Sequence, residues 1–180
     1  VKGGEKVLDL FSYTGGFGIH AANSGAKHVV FVEEDPNAIA ILKRNIKLNK
    51  LGSYEIYEGN VWSFLNKAIS KGEKYDVVIV DPPAFIQSKD GFRRGYEAYK
   101  KLFQQATSLV GEGGILFLSS CSFFLKREDF LKIIHETMLD RYDYVIVDVG
   151  RTSGDHVLRY VDKHLDYLKT AYVYVREEVK

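Results

Sequence analysis

Apolar residues fall along this chain in two alternating rhythms. Runs rich in β-branched and aromatic residues stand at 6–11 (KVLDLF), 28–33 (HVVFVE), 54–59 (YEIYEG), 75–81 (YDVVIVD), 114–120 (GILFLSS), 142–150 (YDYVIVDVG) and 171–177 (AYVYVRE). Several lack strict polar–apolar alternation, the pattern of strands buried on both faces of a parallel sheet. Between them lie segments of helical spacing, at about 16–24, 36–49, 61–71, 93–110, 126–139 and 155–168. In the second of these Asp35 suits the N-cap and Pro36 the first helical position. Ile39, Leu42 and Ile46 recur on one face, and Gly52 is the expected stop. Strand alternating with helix predicts an α/β fold: a doubly wound, mostly parallel seven-stranded sheet with right-handed crossovers. The last two strand runs are joined by a polar segment, and an antiparallel last strand inserted beside its predecessors fits that ending. No repeat, low-complexity segment or linker interrupts the pattern.

A length of 180 residues, 46% hydrophobic and 27% charged, suits one core-forming domain covering 1–180. One cysteine excludes an intrachain disulfide and fits a reducing, cytoplasmic setting. No apolar stretch approaches the roughly 20 residues of a membrane span. The opening VKGGEKVLDLF has no h-region of a signal peptide. Its first strand begins so early that Val1 reads as a cut point in a longer protein. The net charge of +1 is low for a free-standing nucleic-acid binder, so an RNA partner would require a local basic patch or a further domain.

Candidate chemistry begins at VLDLFSYTGGFGIHAA, a strand, a turn and a helix. Gly15, Gly16 and Gly18 permit close approach of a ligand to the backbone, and the helix N-terminus suits an anionic group. Glu33 and Glu34 close the next strand about 20 residues on, where a ribose diol is gripped in dinucleotide folds. The turn is not G-x-G-x-x-G, so an adenosine with an amino-acid tail fits better than a nicotinamide dinucleotide. A tight turn with solvated glutamates is the bland alternative. Asn60 could hydrogen-bond an adenine edge while Val61 and Trp62 cover the ring, serve as a helix N-cap, or do both. In VVIVDPPAF, Asp81 leaves an inner strand toward the ligand crevice, and Pro82 and Pro83 stiffen the exit beside Phe85. Such a loop could hold a flat base, or Asp81 could merely end a strand. Lys89, Arg93, Arg94, Lys100 and Lys101 follow, interleaved with Phe92, Tyr96 and Tyr99, a mixture that suits single-stranded nucleic acid or a solvated helix face.

In this order and spacing, DLFSYTGGFG, VEEDPNA, GNVWSFL, DPPAF and SSCS resemble the class I S-adenosylmethionine-dependent methyltransferases. More narrowly, they resemble the ribosomal RNA cytosine-C5 methyltransferases that carry an N-terminal PUA domain. The resemblance implies a Rossmann-like methyltransferase fold and S-adenosylmethionine as cofactor, with S-adenosylhomocysteine as product and no metal. Its partner would be large-subunit ribosomal RNA, with RNA-binding domains lying outside this chain; a homodimer stays open. It implies cofactor roles for Ser12, Tyr13, Thr14, Gly15, Gly16, Phe17, Glu33, Asn60, Val61 and Asp81. Substrate contacts would fall to Pro82, Pro83, Phe85, Lys89, Arg93, Arg94 and His156. Three departures stand out. Asn60 replaces the family's usual acid, Ala84 stands where related enzymes often have a second cysteine, and Asp155–His156 lacks the proline that commonly follows.

The resemblance also bears on Cys121, in GGILFLSSCSFF. By composition a lone cysteine is often a small apolar filler. As a nucleophile, its thiolate would add to carbon 6 of cytosine so that carbon 5 can attack the methyl donor, with Asp81 stabilising the adduct at N3. Lys126 and Arg127, at the start of the next helix, are expected to favour the thiolate. Methylation of a guanine nitrogen, or a non-catalytic RNA-binding role, are the competing readings.

Overall fold

The computed structural model describes residues 1–139, 141–150, 152 and 167–178. Within them the chain runs β1 (Lys6–Leu10), α1 (Gly16–Asn23), β2 (His28–Glu33), α2 (Pro36–Leu48), β3 (Tyr54–Glu58), α3 (Val61–Ser70), β4 (Tyr75–Val80), α4 (Phe92–Thr107), β5 (Val110–Ser120), α5 (Arg127–Met138), β6 (Tyr142–Gly150) and β7 (Lys169–Glu178). The seven strands form one sheet in the order β3-β2-β1-β4-β5-β7-β6. The first five are parallel to one another. β7 inserts antiparallel between β5 and β6, as the sequence pattern predicts. The helix expected over 155–168 lies outside the described residues.

The central strands are apolar on both sides because each side is covered. Leu8, Leu10, Val30, Val32, Val78, Val80, Leu116 and Leu118 face a core completed by α3, α4 and α5. Their neighbours Val7, Val29, Phe31, Ile79 and Phe117 face a smaller core built with α1 and α2. Removing this apolar surface from water is the main force holding the layers together.

Local signals place the helix ends. Asp35 accepts a hydrogen bond from Asn37 N at 2.8 Å and caps α2, with Pro36 following. The stop differs from expectation. Lys50, not Gly52, takes the left-handed turn, with φ 54°. Lys50 N donates to Lys47 O at 3.2 Å and Leu51 N to Ile46 O at 3.3 Å. Two recovered carbonyls and the packing of Leu51 against the smaller core offset the strain of a non-glycine residue there. The fourth helix also ends earlier than its spacing suggests. β5 starts at Val110, and its pairing with β4 shifts register between Tyr75 and Val77, which absorbs the glycine-rich stretch 111–114 into the strand.

Candidate active site

Parallel strands deliver their carboxyl ends to one edge of the sheet, and all the candidate groups from β1, β2, β4 and β5 emerge there. Past β1 the chain turns sharply through three residues of positive φ: Phe11 at 59°, Tyr13 at 49° and Gly15 at 89°. A Cβ on Gly15 would lie 2.4 Å from Leu42 Cδ1, so α2 packs against a position that only glycine can fill. Glu33 holds the turn. Its Oε2 accepts from Tyr13 N at 2.7 Å, and its Oε1 accepts from Glu34 N and Asp35 N, each at 2.9 Å. The carboxylate is thereby oriented in advance, and Oε2 retains capacity for another donor. Ser12 is buried against Val32 O, Thr14 O accepts from Asn45, and Gly16 opens α1.

Asp9, inside β1, was not anticipated as a site residue. It is 1% exposed. One oxygen accepts from Gly18 N at 2.9 Å, and the other, Oδ1, has no hydrogen-bond partner among the described residues. Burial pushes its acid up to about 7, with Asp81 and Glu33 adding repulsion and the Gly18 N–H acting against them. The signal available was a single acid interrupting an apolar strand just before the glycine turn.

A cleft of about 340 Å³ opens between these elements, lined by Phe11, Tyr13, Glu33, Glu34, Asp35, Val61, Asp81 and Pro83. Tyr13 stands 65% exposed at its mouth. Two expected cofactor residues make contacts within the fold. Asn60 Oδ1 accepts from Trp62 N and its Nδ2 donates to Glu34 Oε2, both at 2.9 Å, so its side chain caps α3 and ties down Glu34. The ring of Phe17 packs on Phe117, 5.4 Å between centroids, and lines a separate apolar groove with Ile79 and Tyr172.

Asp81 and Cys121 come together. Ser119 Oγ donates to Asp81 Oδ1, and Cys121 Sγ lies 3.9 Å from the carbonyl oxygen of Pro82. The sulfur is half-buried, not sealed in the core. Burial pushes its thiol up, the carboxylate of Asp81 pushes it further, and the Lys169 charge and a backbone hydrogen bond oppose them. Lys126 and Arg127 take other partners: Lys126 Nζ sits 4.9 Å from the Phe123 ring centroid, and Arg127 donates to Gly150 O at 3.1 Å. Among the described residues, the cation that acts on the sulfur is Lys169, from the first position of β7. Sequence reasoning had no local signal for it, because 48 residues separate it from the thiol.

Below this corner a buried hydroxyl cluster joins three elements. Tyr99 OH on α4 shares a hydrogen bond with Ser122 Oγ at 2.9 Å and accepts from Ser120 Oγ at 3.0 Å. Ser122 Oγ also accepts from Ile86 N at 3.1 Å. Burial pushes the Tyr99 phenol up, which keeps it a neutral donor. The cluster fixes the DPPAF exit against the cysteine loop. Phe85 packs 4.8 Å from the Tyr99 ring and 6.5 Å from Trp62. Lys89, Arg93 and Arg94 are exposed on the following loop and the first turn of α4. His156 lies outside the described residues.

Strand order, the glycine turn and the acid-lined cleft at the strands' carboxyl ends define a methyltransferase fold. The solved structure of SMU.776, a candidate methyltransferase complexed with S-adenosylhomocysteine, superposes with a TM-score of 0.85 at 26% identity, covering 97% of this chain and 46% of the other. The profile of the family described as conserved hypothetical protein 95 matches residues 2–116, and the chain belongs to that family. A candidate ribosomal RNA large subunit methyltransferase from Methanocaldococcus jannaschii is 35% identical over 98% of this chain and 46% of its own length. Ribosomal RNA large subunit methyltransferase I of Escherichia coli is 36% identical over 84% of this chain and 39% of its own length. The chain thus spans less than half the length of these curated relatives.

Proposed function

We propose that this chain is the catalytic part of an S-adenosylmethionine-dependent methyltransferase that modifies carbon 5 of a cytosine in large-subunit ribosomal RNA. The observation that carries the reading is the convergence of Asp81 and Cys121 beside the cleft. The cofactor fits the donor set. Glu33, Glu34 and Asp81 make the cleft acidic, which favours a cationic sulfonium and ammonium over a pyrophosphate. Glu33 is oriented for a ribose diol, Val61 offers an apolar wall to the adenine, and the glycine turn leaves room for the methionine tail. When bound, S-adenosylmethionine supplies an electrophilic methyl group.

The protein's residues do the rest. Cys121 Sγ forms a bond to carbon 6 of the cytosine, which raises electron density at carbon 5 and makes it the nucleophile. Asp81 donates a proton to ring N3 as the adduct forms and stays hydrogen-bonded there, while Ser119 and the two prolines hold the carboxyl in place. After carbon 5 is methylated, its proton passes to a base and the carbon 6–sulfur bond breaks, which restores the aromatic ring and the free cysteine. Pro83 and Phe85 form the wall for the target base, and Lys89, Arg93 and Arg94 supply phosphate contacts, with His156 reserved for the substrate loop. A ribosomal substrate supports a cytoplasmic setting for the enzyme.

The test is methyl transfer from labelled S-adenosylmethionine to ribosomal RNA, followed by nucleoside analysis. The expected product is 5-methylcytidine, and Cys121→Ala should lower the rate by at least ~10⁴-fold, as removal of catalytic nucleophiles does elsewhere. A methylguanosine product, or full activity of the alanine variant, overturns the reading.

A further inference from the structure

Lysine is almost never buried without partners, yet Lys169 is 4% exposed. Its position is set by the sheet: on the antiparallel ladder it stands opposite Ser120, the residue before the cysteine. Its ammonium donates to Ser122 O at 2.6 Å and to Tyr167 O at 2.5 Å. One residue on β7 therefore grips the carbonyl immediately beyond Cys121, while Ser120 and Ser122 are fastened from the other side by Tyr99. We propose that Lys169 is a positioning residue for Cys121, which fixes the loop that carries the sulfur and supplies the positive charge that favours its thiolate form. This rests on the nucleophile role assigned to Cys121 above.

Among the described residues, the charged and titratable groups around the sulfur leave this task to one residue. Asp81, from the exit of β4, repels a thiolate. Tyr99, from α4, is a neutral phenol. Lys126 and Arg127, at the start of α5, are committed to the Phe123 ring and to Gly150 O. Among the described residues Lys169 is the side chain whose charge opposes burial and Asp81 at the sulfur. The proton released from the thiol goes to solvent, since the sulfur is only half-buried.

Cys121 is the single cysteine of the chain, so alkylation by iodoacetamide reports it without ambiguity. The pH midpoint of that reaction should rise by about one unit in Lys169→Met, as expected on losing a nearby opposite charge. Lys169→Gln, which keeps a donor for Ser122 O but not the charge, should shift it likewise. Lys169→Arg should stay near the parent value. Methyl transfer at neutral pH should fall in kcat for both uncharged variants with KM for RNA unchanged. An unmoved midpoint in a folded uncharged variant overturns the proposal, as does failure of both uncharged variants to fold, which would make the lysine a fold-forming group. The two readings fail separately. If Cys121→Ala retains activity, the nucleophile assignment falls whatever the midpoint does. If that variant is dead but the midpoint stays put, only the role of Lys169 falls.

Discussion

The glycine turn after β1 and the Asp81–Cys121 corner sit at the same end of the sheet but are held by different means. Backbone does most of the holding in the turn: three residues at positive φ, and a glutamate whose oxygens accept from three main-chain N–H groups. Side chains hold the corner: Ser119 on Asp81, Tyr99 between Ser120 and Ser122, and Lys169 on the carbonyl of Ser122. The first arrangement presents a rigid surface of main chain and one carboxylate, suited to gripping the parts of a ligand that do not react. The second surrounds Asp81 and Cys121 with hydroxyls and with Lys169, so that charge as well as place bears on the thiol. Binding and chemistry are thus separable, and substitutions should divide the same way.

Asp81→Asn, on the chemical side, should give the largest effect after the loss of Cys121 itself. It keeps the shape and the Ser119 contact but weakens stabilisation at N3, and methyl transfer should drop by ~10²–10⁴-fold in single-turnover assays. Cofactor affinity by calorimetry should change far less; an equal loss in both would merge the two regions. Glu33→Ala, on the binding side, should do the reverse. Cofactor affinity should fall by roughly 10–100-fold, the scale of one or two lost charge-assisted hydrogen bonds, while iodoacetamide still reads the parent midpoint at Cys121.

The corner explains why sequence served the two regions unequally. The turn is written almost contiguously: its strained residues, the helix it feeds and Glu33 fall within 11–33, and DLFSYTGGFG is legible as a motif. The alternation of strand and helix was legible in the apolar runs, and the antiparallel last strand in the polar segment before it, whereas the strand order came only from the structure. Cys121 and Asp81 were legible as members of motifs, but Tyr99 and Lys169 were not assigned to the site. They reach it from α4 and β7, and nothing in EAYKK or DYLKT distinguishes a buried anchor from a surface residue. Lys126 and Arg127 misled for the converse reason. They are near the cysteine in sequence, and the geometry of the α5 entry turns them toward Phe123 and Gly150. Asn60 was legible as ligand, as cap or as both at once, and its hydrogen bond to Trp62 N shows the cap, which is compatible with either.

Asp9 sharpens the comparison through pH. Its folded acid is raised to about 7 from an ordinary value of 3.8, so the folded chain holds a proton there that the unfolded chain gives up. Stability should therefore decline as pH rises from about 4 through 7, by an amount on the order of a few kcal/mol. Between pH 5 and pH 8 the melting temperature should fall several degrees more for the parent chain than for Asp9→Asn, read by circular dichroism. Parallel pH profiles would sink this. The smallest effect is expected from Tyr99→Phe, which leaves the hydroxyls of Ser120 and Ser122 short of a partner. It should cost about 1–3 kcal/mol and lower the melting temperature by a few degrees, with cofactor affinity unchanged.

The insertion of β7 between β5 and β6 has a consequence for how the chain is made. β6 is synthesised before β7 yet pairs with the sheet through it. As the polypeptide leaves the ribosome, residues 142–150 must wait, unpaired, until 169–178 emerge and slot in ahead of them. Lys169 arrives with that strand. The cleft beside β1 and β2 can thus take shape well before Cys121 acquires this neighbour.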